Sequence, residues 1–286
     1  MTGRSHDVRS ELDVEYVSVA GTALRLDLHR PTRTGSTPCV VYFHGGGWMR
    51  GHRSDALAER LLPVVRAGVA VATVSYRFSD VATFPAQLDD ARAAVRWVRA
   101  SGERYGLRTS RVGVWGASAG GTLAMLLATA DGDDPEVDVQ AACAFFPVTD
   151  LNTVTPDRDA EGLPLPSFVP TPLPEPSMEA RLFGVADIAD ARAGGQLASP
   201  VAQVGPQGPP VLLLHGDRDG LVSLRQSRRL HQALTDAGRD ADLLIVADAD
   251  HEDAAFHSPP ALAAVAGFFA HHLAGSLPAP PERSPT

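Results

Sequence analysis

Short, nearly unbroken apolar runs recur along the chain, separated by longer stretches whose apolar residues return every three or four positions. The first kind reads as strands, buried ones in CVVYFHG and VAVATVSY, and the second as helices. CVVYFHG (39–45), VAVATVSY (69–76), RVGVWG (111–116), AACAFFPV (141–148), PVLLLHG (210–216) and DLLIVADA (242–249) are of the first kind. Two further runs, VEYVSVA (14–20) and ALRLDLH (23–29), flank Gly21 and predict a hairpin near the start. Helical spacing is clearest in FPAQLDDARAAVRWVRASGERYG, where Leu88, Ala91, Val95 and Val98 recur and Pro85 suits a first turn. GGTLAMLLATA is a second helix. LVSLRQSRRLHQALTDAG, stopped by Gly238, and PALAAVAGFFAHHLAG, with Leu262, Val265 and Phe269 on one face, are two more. DALAERLLPVVRAG reads as a helix ended by Gly68 that Pro63 must kink or break.

Together these elements give about eight strands, a short antiparallel start followed by repeated β-α units. They predict an α/β fold, a mostly parallel sheet with helices on both faces. Two stretches depart from the pattern. Residues 152–178 are rich in proline and predict either a functional lid or a disordered loop. The last residues, SLPAPPERSPT, predict a disordered tail. The expected organisation is one domain over 1–275, with a lid or cap insertion at 152–208, and a tail over 276–286.

Composition narrows the function. The 286 residues carry a net charge of −9, and all 25 basic residues are arginine, none gathered into a basic stripe. Nucleic-acid binding is therefore not expected. Cys39 and Cys143 each lie inside an apolar run and predict buried thiols, not a disulfide. No Cys/His spacing suits a metal, and no cofactor is expected. The polar start, MTGRSHDVRSELD, lacks the apolar core of a signal peptide. No apolar run reaches the ~20 residues of a membrane span. A cytoplasmic monomer or homodimer is the expectation.

Candidate chemistry sits at strand ends. Ser118 lies between Gly116 and Gly120, a G-x-S-x-G pattern after one predicted strand and before a helix. Such a turn lifts a serine hydroxyl above the sheet edge. HGGGW, His44 to Trp48, follows another strand. Three consecutive glycines cost entropy on ordering, and exposed N–H groups for an oxyanion hole explain them. Gly45 and Gly46 would then act with Ala119, the residue after the serine. A serine needs a base held by an acid. Of ten histidines, His251 follows the last strand, and His257 is its neighbouring rival. His215 ends a strand and reads as structural, and His271 and His272 fall in the last helix. Asp217 and Asp219 both follow a strand. Asp219 should face the site, and Asp217 could bond backbone in the turn. Trp48 and Phe84 are candidate substrate-binding aromatics, with core packing as the plain alternative.

At these residues the chain resembles α/β-hydrolase esterases, close to carboxylesterases of the hormone-sensitive-lipase type and closer to a deacetylase/feruloyl-esterase-like branch. The matching stretches are HGGGW, SYRFSDVATFPAQLDDARAAVRWVRA, GASAGG, FFPVTDL, ASPV, HGDRDGLV and the DH at 250–251. The resemblance implies Ser118 as nucleophile, Asp219 as orienting acid, His251 as base, and Gly45, Gly46 and Ala119 as oxyanion donors. It implies a serine carboxylic ester hydrolase working through an acyl-enzyme on small to medium acyl esters. HGGGW also resembles arylformamidases of this fold, so amide or formamide hydrolysis, or acyl transfer, is the alternative. A non-catalytic relative of the fold is a lesser one. Two features depart from the family. Acids crowd the last histidine in DADHED, which should raise the pKa of His251. The proline-rich 152–178 stretch lies where lid and acyl pocket usually do.

Overall fold

The computed structural model describes residues 7–32, 35–129 and 134–274. β1 (Val8–Val19) and β2 (Thr22–Pro31) form the expected antiparallel hairpin. β3 (Thr37–Phe43), β4 (Ala70–Val74), β5 (Leu107–Ala117), β6 (Ala141–Phe145), β7 (Val211–Gly216) and β8 (Ala241–Val246) follow. They make one eight-stranded sheet, in the order β1-β2-β4-β3-β5-β6-β7-β8, parallel from β4 through β8. The chain belongs to the α/β-hydrolase fold class by this topology.

The unbroken apolar runs follow from covering both faces. Along β3, Cys39, Val41 and Phe43 enter one core while Val40 and Tyr42 enter the other. A strand with two buried faces has no polar side to show. The first core is closed by α2 (Ala86–Ser101), α3 (Ala119–Thr129) and α7 (Leu224–Asp236). The second is closed by α1 (Leu62–Arg66) and α8 (Pro259–His272). Cys39 and Cys143 are buried and unpaired, one in each core.

Pro63 acts as expected but not by kinking a helix. A π-helical turn over Leu57–Leu61 precedes it, with Leu61 N–H reaching Ala56 O at 3.3 Å. Pro63 then occupies the first turn of α1, where no N–H is required.

From β3 the chain steps to β4 on one side, and β5 then returns to pair on the other side of β3. The loops after β3 and β5 therefore diverge and leave a crevice at the carboxyl ends of these strands, the place where open α/β sheets bind ligands. HGGGW leaves β3 and Ser118 leaves β5, so both glycine loops meet at this crevice.

Between β6 and β7 lie α4 (Val154–Glu161), α5 (Met178–Leu182) and α6 (Arg192–Leu197). The 152–178 stretch is thus helical at its start. Buried Asp157 anchors that helix, taking hydrogen bonds from both Arg229 terminal nitrogens and from Gln226. These partners outweigh the upward push of burial and hold its carboxyl below the usual range. Residues 163–177 are irregular and cover the crevice. The expected tail, 276–286, lies outside the described residues.

Candidate active site

Ser118 stands between the end of β5 and the first residue of α3, at φ 52°. This left-handed conformation is unfavourable for a residue with a Cβ. It is held by Ser118 N–H donating to Phe145 O at 2.9 Å and Thr122 N–H donating to Ser118 O at 3.0 Å. The flanking glycines are required by close approach. A Cβ on Gly116 would lie 2.1 Å from Gly120 O, and one on Gly120 would lie 2.1 Å from Phe43 O.

His251 follows β8, and its Nε2 is 3.0 Å from Ser118 Oγ. Its Nδ1 is 2.7 Å from Asp219 Oδ2. A carboxylate only accepts, so Nδ1 carries the proton and Nε2 is left as acceptor for the serine hydroxyl. Asp219 is buried, and its other oxygen accepts from Leu221 N–H at 3.0 Å and Val222 N–H at 2.8 Å. Burial alone would raise its pKa. The charge on His251 and hydrogen bonds from His215 and His251 win, leaving it well below the usual carboxylate range. For His251, burial pushes down, but Asp219, then Glu252 and Asp250, push further up, so the net shift is upward. This is the direction expected from the acids of DADHED.

Asp217 lies apart, exposed, accepting Asp248 N–H at 2.7 Å within the turn. His257 lies apart too, its Nε2 3.1 Å from Arg60 Nη2. His215 is structural and also touches the site. Its Nε2 donates to Val222 O at 2.8 Å and lies 3.3 Å from Asp219 Oδ2, and its Nδ1 faces Ser227 Oγ at 2.7 Å.

Three other side chains fix the His251 loop, two of them acids of DADHED and the third, Arg60, not singled out in the sequence. Asp250 Oδ1 accepts Gly220 N–H at 3.1 Å, tying this loop to the one bearing Asp219. Glu252, at φ 58°, pairs with Arg60, which is buried and also donates to Tyr42 OH at 2.9 Å. Arg60 covers the rings of Phe145 and Phe146, and Phe146 packs on His251 with ring centroids 4.5 Å apart. Arg60 and Glu252 are 192 residues apart, so only the adjacency of Glu252 to His251 gave any signal.

Ser118 and His251 open into a cavity of about 140 Å³, roofed by apolar residues of the irregular stretch, among them Phe168, Val169 and Leu173. Gly46 and Gly47, with φ 114° and 62°, line it. Gly45 lines a neighbouring polar hollow instead, beside Tyr42, Arg60 and Glu252. Of the expected pair, Gly46 lines this cavity, and Gly45 lies beside Ser118, where an added Cβ would be 3.4 Å from the serine Cβ. A triplet of glycines carries no register of its own. Trp48 is buried, and its Nε1 donates to Ala119 O at 3.1 Å, tying the HGGGW loop to the serine turn. It reaches only a small second hollow beside Ser118. Phe84 lines neither hollow and packs edge-on against Phe183, with centroids 5.7 Å apart. Among the described residues no cluster of three or more His, Cys, Asp or Glu could hold a metal ion. No described helix is long and apolar enough to cross a membrane.

Known proteins share this arrangement of strands. The chain is 28% identical over 233 residues to the probable carboxylic ester hydrolase LipM of Mycobacterium tuberculosis, covering 78% of this chain and 51% of that protein. It is 30% identical over 168 residues to ethyl acetate hydrolase of Pseudomonas putida, covering 57% of this chain and 52% of that protein. The chain spans about half the length of these curated relatives. A truncated carbohydrate esterase from gut microbiota superposes with a TM-score of 0.80 at 24% identity, over 95% of this chain and 98% of the other. The esterase Est2 of Thermogutta terrifontis gives 0.70 at 20% identity, over 93% and 92%. At these identities the structures share the α/β-hydrolase fold. A sequence profile described as TAP-like protein matches residues 189–283. The BD-FAE profile matches residues 26–234, a span that takes in both glycine loops, Ser118 and Asp219, and the chain belongs to the BD-FAE family.

Proposed function

We propose that the protein is a serine carboxylic ester hydrolase with Ser118 as nucleophile, His251 as base and Asp219 as the acid that orients the base. The observation that carries this is the continuous line from Ser118 Oγ to His251 Nε2 at 3.0 Å and from His251 Nδ1 to Asp219 at 2.7 Å, opening into a cavity. Relatives named as ester hydrolases support it.

Ser118 Oγ attacks the ester carbonyl while its proton moves to His251 Nε2. The ionised Asp219 stabilises the imidazolium. Backbone N–H groups of Gly46, Gly47 and Ala119 hydrogen-bond the developing oxyanion, and the N-terminus of α3 adds a favourable dipole. The tetrahedral intermediate collapses, and His251 returns the proton to the leaving alcohol. Water, activated by the same imidazole, then releases the acid. The irregular stretch over 163–177 serves as the roof of the substrate cavity, within the lid or cap insertion 152–208. A cytoplasmic location, as monomer or homodimer, completes this reading. Buried, unpaired Cys39 and Cys143 suit a reducing compartment.

The test is turnover of 4-nitrophenyl acetate, together with covalent labelling by a fluorophosphonate. Ser118→Ala should abolish both. Retention of either by the variant would defeat the assignment.

A further inference from the structure

Two hollows meet at Ser118 and share Gly47, Met178 and Leu221 in their walls. The larger, about 140 Å³, has His251 in its wall. The smaller, about 20 Å³, runs past Ala119 and Trp48 and lacks His251. Val148 and Val154 line it, and Arg158 and Glu179 bring charge to its wall.

Given the reading of Ser118 and His251 above, chemistry decides which hollow takes which half of the ester. The alcohol leaves by accepting a proton from His251, so its oxygen must lie within reach of that ring. The alcohol therefore occupies the hollow that His251 lines. The acyl substituent then lies away from His251, in the hollow that continues past Ala119. A volume of about 20 Å³ is little more than the space that holds one water molecule. A methyl group fits there. A longer chain would be pressed against two charged side chains that it cannot satisfy.

Glu179 lies in the first turn of α5 and is only 6% exposed. Burial pushes its carboxyl up, and its own backbone N–H, the Ser177 hydroxyl and the charge of Arg158 pull against this without cancelling it. The reaction described above makes no use of this buried group.

We propose that Glu179 is the specificity-determining wall of the acyl hollow, and that the substrates are acetate esters of bulky apolar alcohols. Ser118 Oγ bonds to the acetyl carbon as the carbon–alkoxy bond breaks. The proton passes through His251 to the alcohol, and water then cleaves the acetyl-serine to acetate. The alcohol rests under Phe168, Val169, Leu173 and Met178, a surface suited to an aryl or branched alkyl group.

The experiment measures kcat/KM for 4-nitrophenyl acetate, butyrate and hexanoate, and for ethyl against 2-naphthyl acetate. In the wild type, each chain extension should cost about tenfold or more, and naphthyl acetate should exceed ethyl acetate by about tenfold. Glu179→Ala should narrow the acetate-to-hexanoate ratio about tenfold, whereas Glu179→Gln, of equal size, keeps the limit at acetyl. A wild type that takes hexanoate as well as acetate overturns the proposal. So does a Glu179→Ala enzyme that still labels fully with fluorophosphonate yet keeps the wild-type ratio. Should Glu179→Ala fail to fold, Val154→Ala enlarges the same hollow and must relax the ratio in its place. A wild type that neither labels nor turns over any ester defeats the nucleophile itself, a different result from a labelled enzyme with the wrong chain-length profile.

Discussion

His215 stands behind Asp219, its Nε2 3.3 Å from the carboxylate oxygen that also holds His251. One oxygen thus faces two imidazoles, and the buried His215 fixes the carboxylate that holds His251. His215→Phe removes this partner and leaves Ser227 and Val222 O without theirs. A loss of about tenfold in kcat is expected, as for other groups that orient a catalytic residue from behind, with KM little changed. Stability should fall by about 1–3 kcal/mol, the cost of unpaired buried polar groups. Steady-state kinetics and urea unfolding read the two effects separately.

The two neighbouring aspartates should behave very differently. Asp219→Asn keeps the shape but removes the charge that sets the tautomer of His251, so kcat should fall by about a thousandfold or more. Asp217→Asn touches only the Asp248 N–H at the surface and should stay within about twofold of wild type. Parallel assays of the two variants check this, and the reverse pattern, with the large loss in Asp217→Asn, would exchange the two aspartates' roles.

The pH profile carries a sign that can be worked out. His251 must be neutral to accept the Ser118 proton, so kcat/KM falls as pH drops through its pKa. Asp219, Glu252 and Asp250 hold that pKa above its ordinary 6.5, against the pull of burial. Activity is therefore lost at a higher pH than an unperturbed histidine would give. Glu252→Gln removes one of these charges and should move the acid limb to lower pH. A profile measured from about pH 5 to 9 reads the shift, and an unmoved or raised limb would contradict it.

Glycines at two places should respond oppositely to alanine. Gly120→Ala places a methyl on the backbone of Phe43 and His44, and should destabilise by about 3 kcal/mol or more. Gly267, exposed in α8, meets nothing within 4 Å, and Gly267→Ala should stabilise by about 1 kcal/mol. Urea midpoints compared with wild type check both.

Much of this was legible because the central strands β3, β4, β6 and β7 are buried on both faces, while β8 at the edge leaves Leu244 and Ile245 exposed. The sheet's strands announce themselves as apolar runs, and the loops that follow them carry Ser118, Asp219 and His251. What stayed hidden depends on register or on long-range packing. Three glycines in a row do not say which of them will line the cavity, and Gly47 does so beside Gly46. Trp48 lines the small hollow beside Ser118 and also ties two loops together, while Phe84 packs on Phe183. Arg60 lies in what reads as an ordinary amphipathic helix. Only folding brings it to Glu252 beside the base. The stretch 152–178 reads as structureless because its proline content masks the helix that Asp157 and Arg229 hold in place.

The left-handed backbone of Ser118 sets two demands of the protein against each other. At φ 52° a glycine would rest more easily than any residue with a side chain, by about 1 kcal/mol. Ser118→Gly should therefore yield a protein that melts at a higher temperature and catalyses nothing. The hydroxyl is kept at a turn where the chain would gain by losing it, so selection for thermal robustness alone would act against the activity at this position.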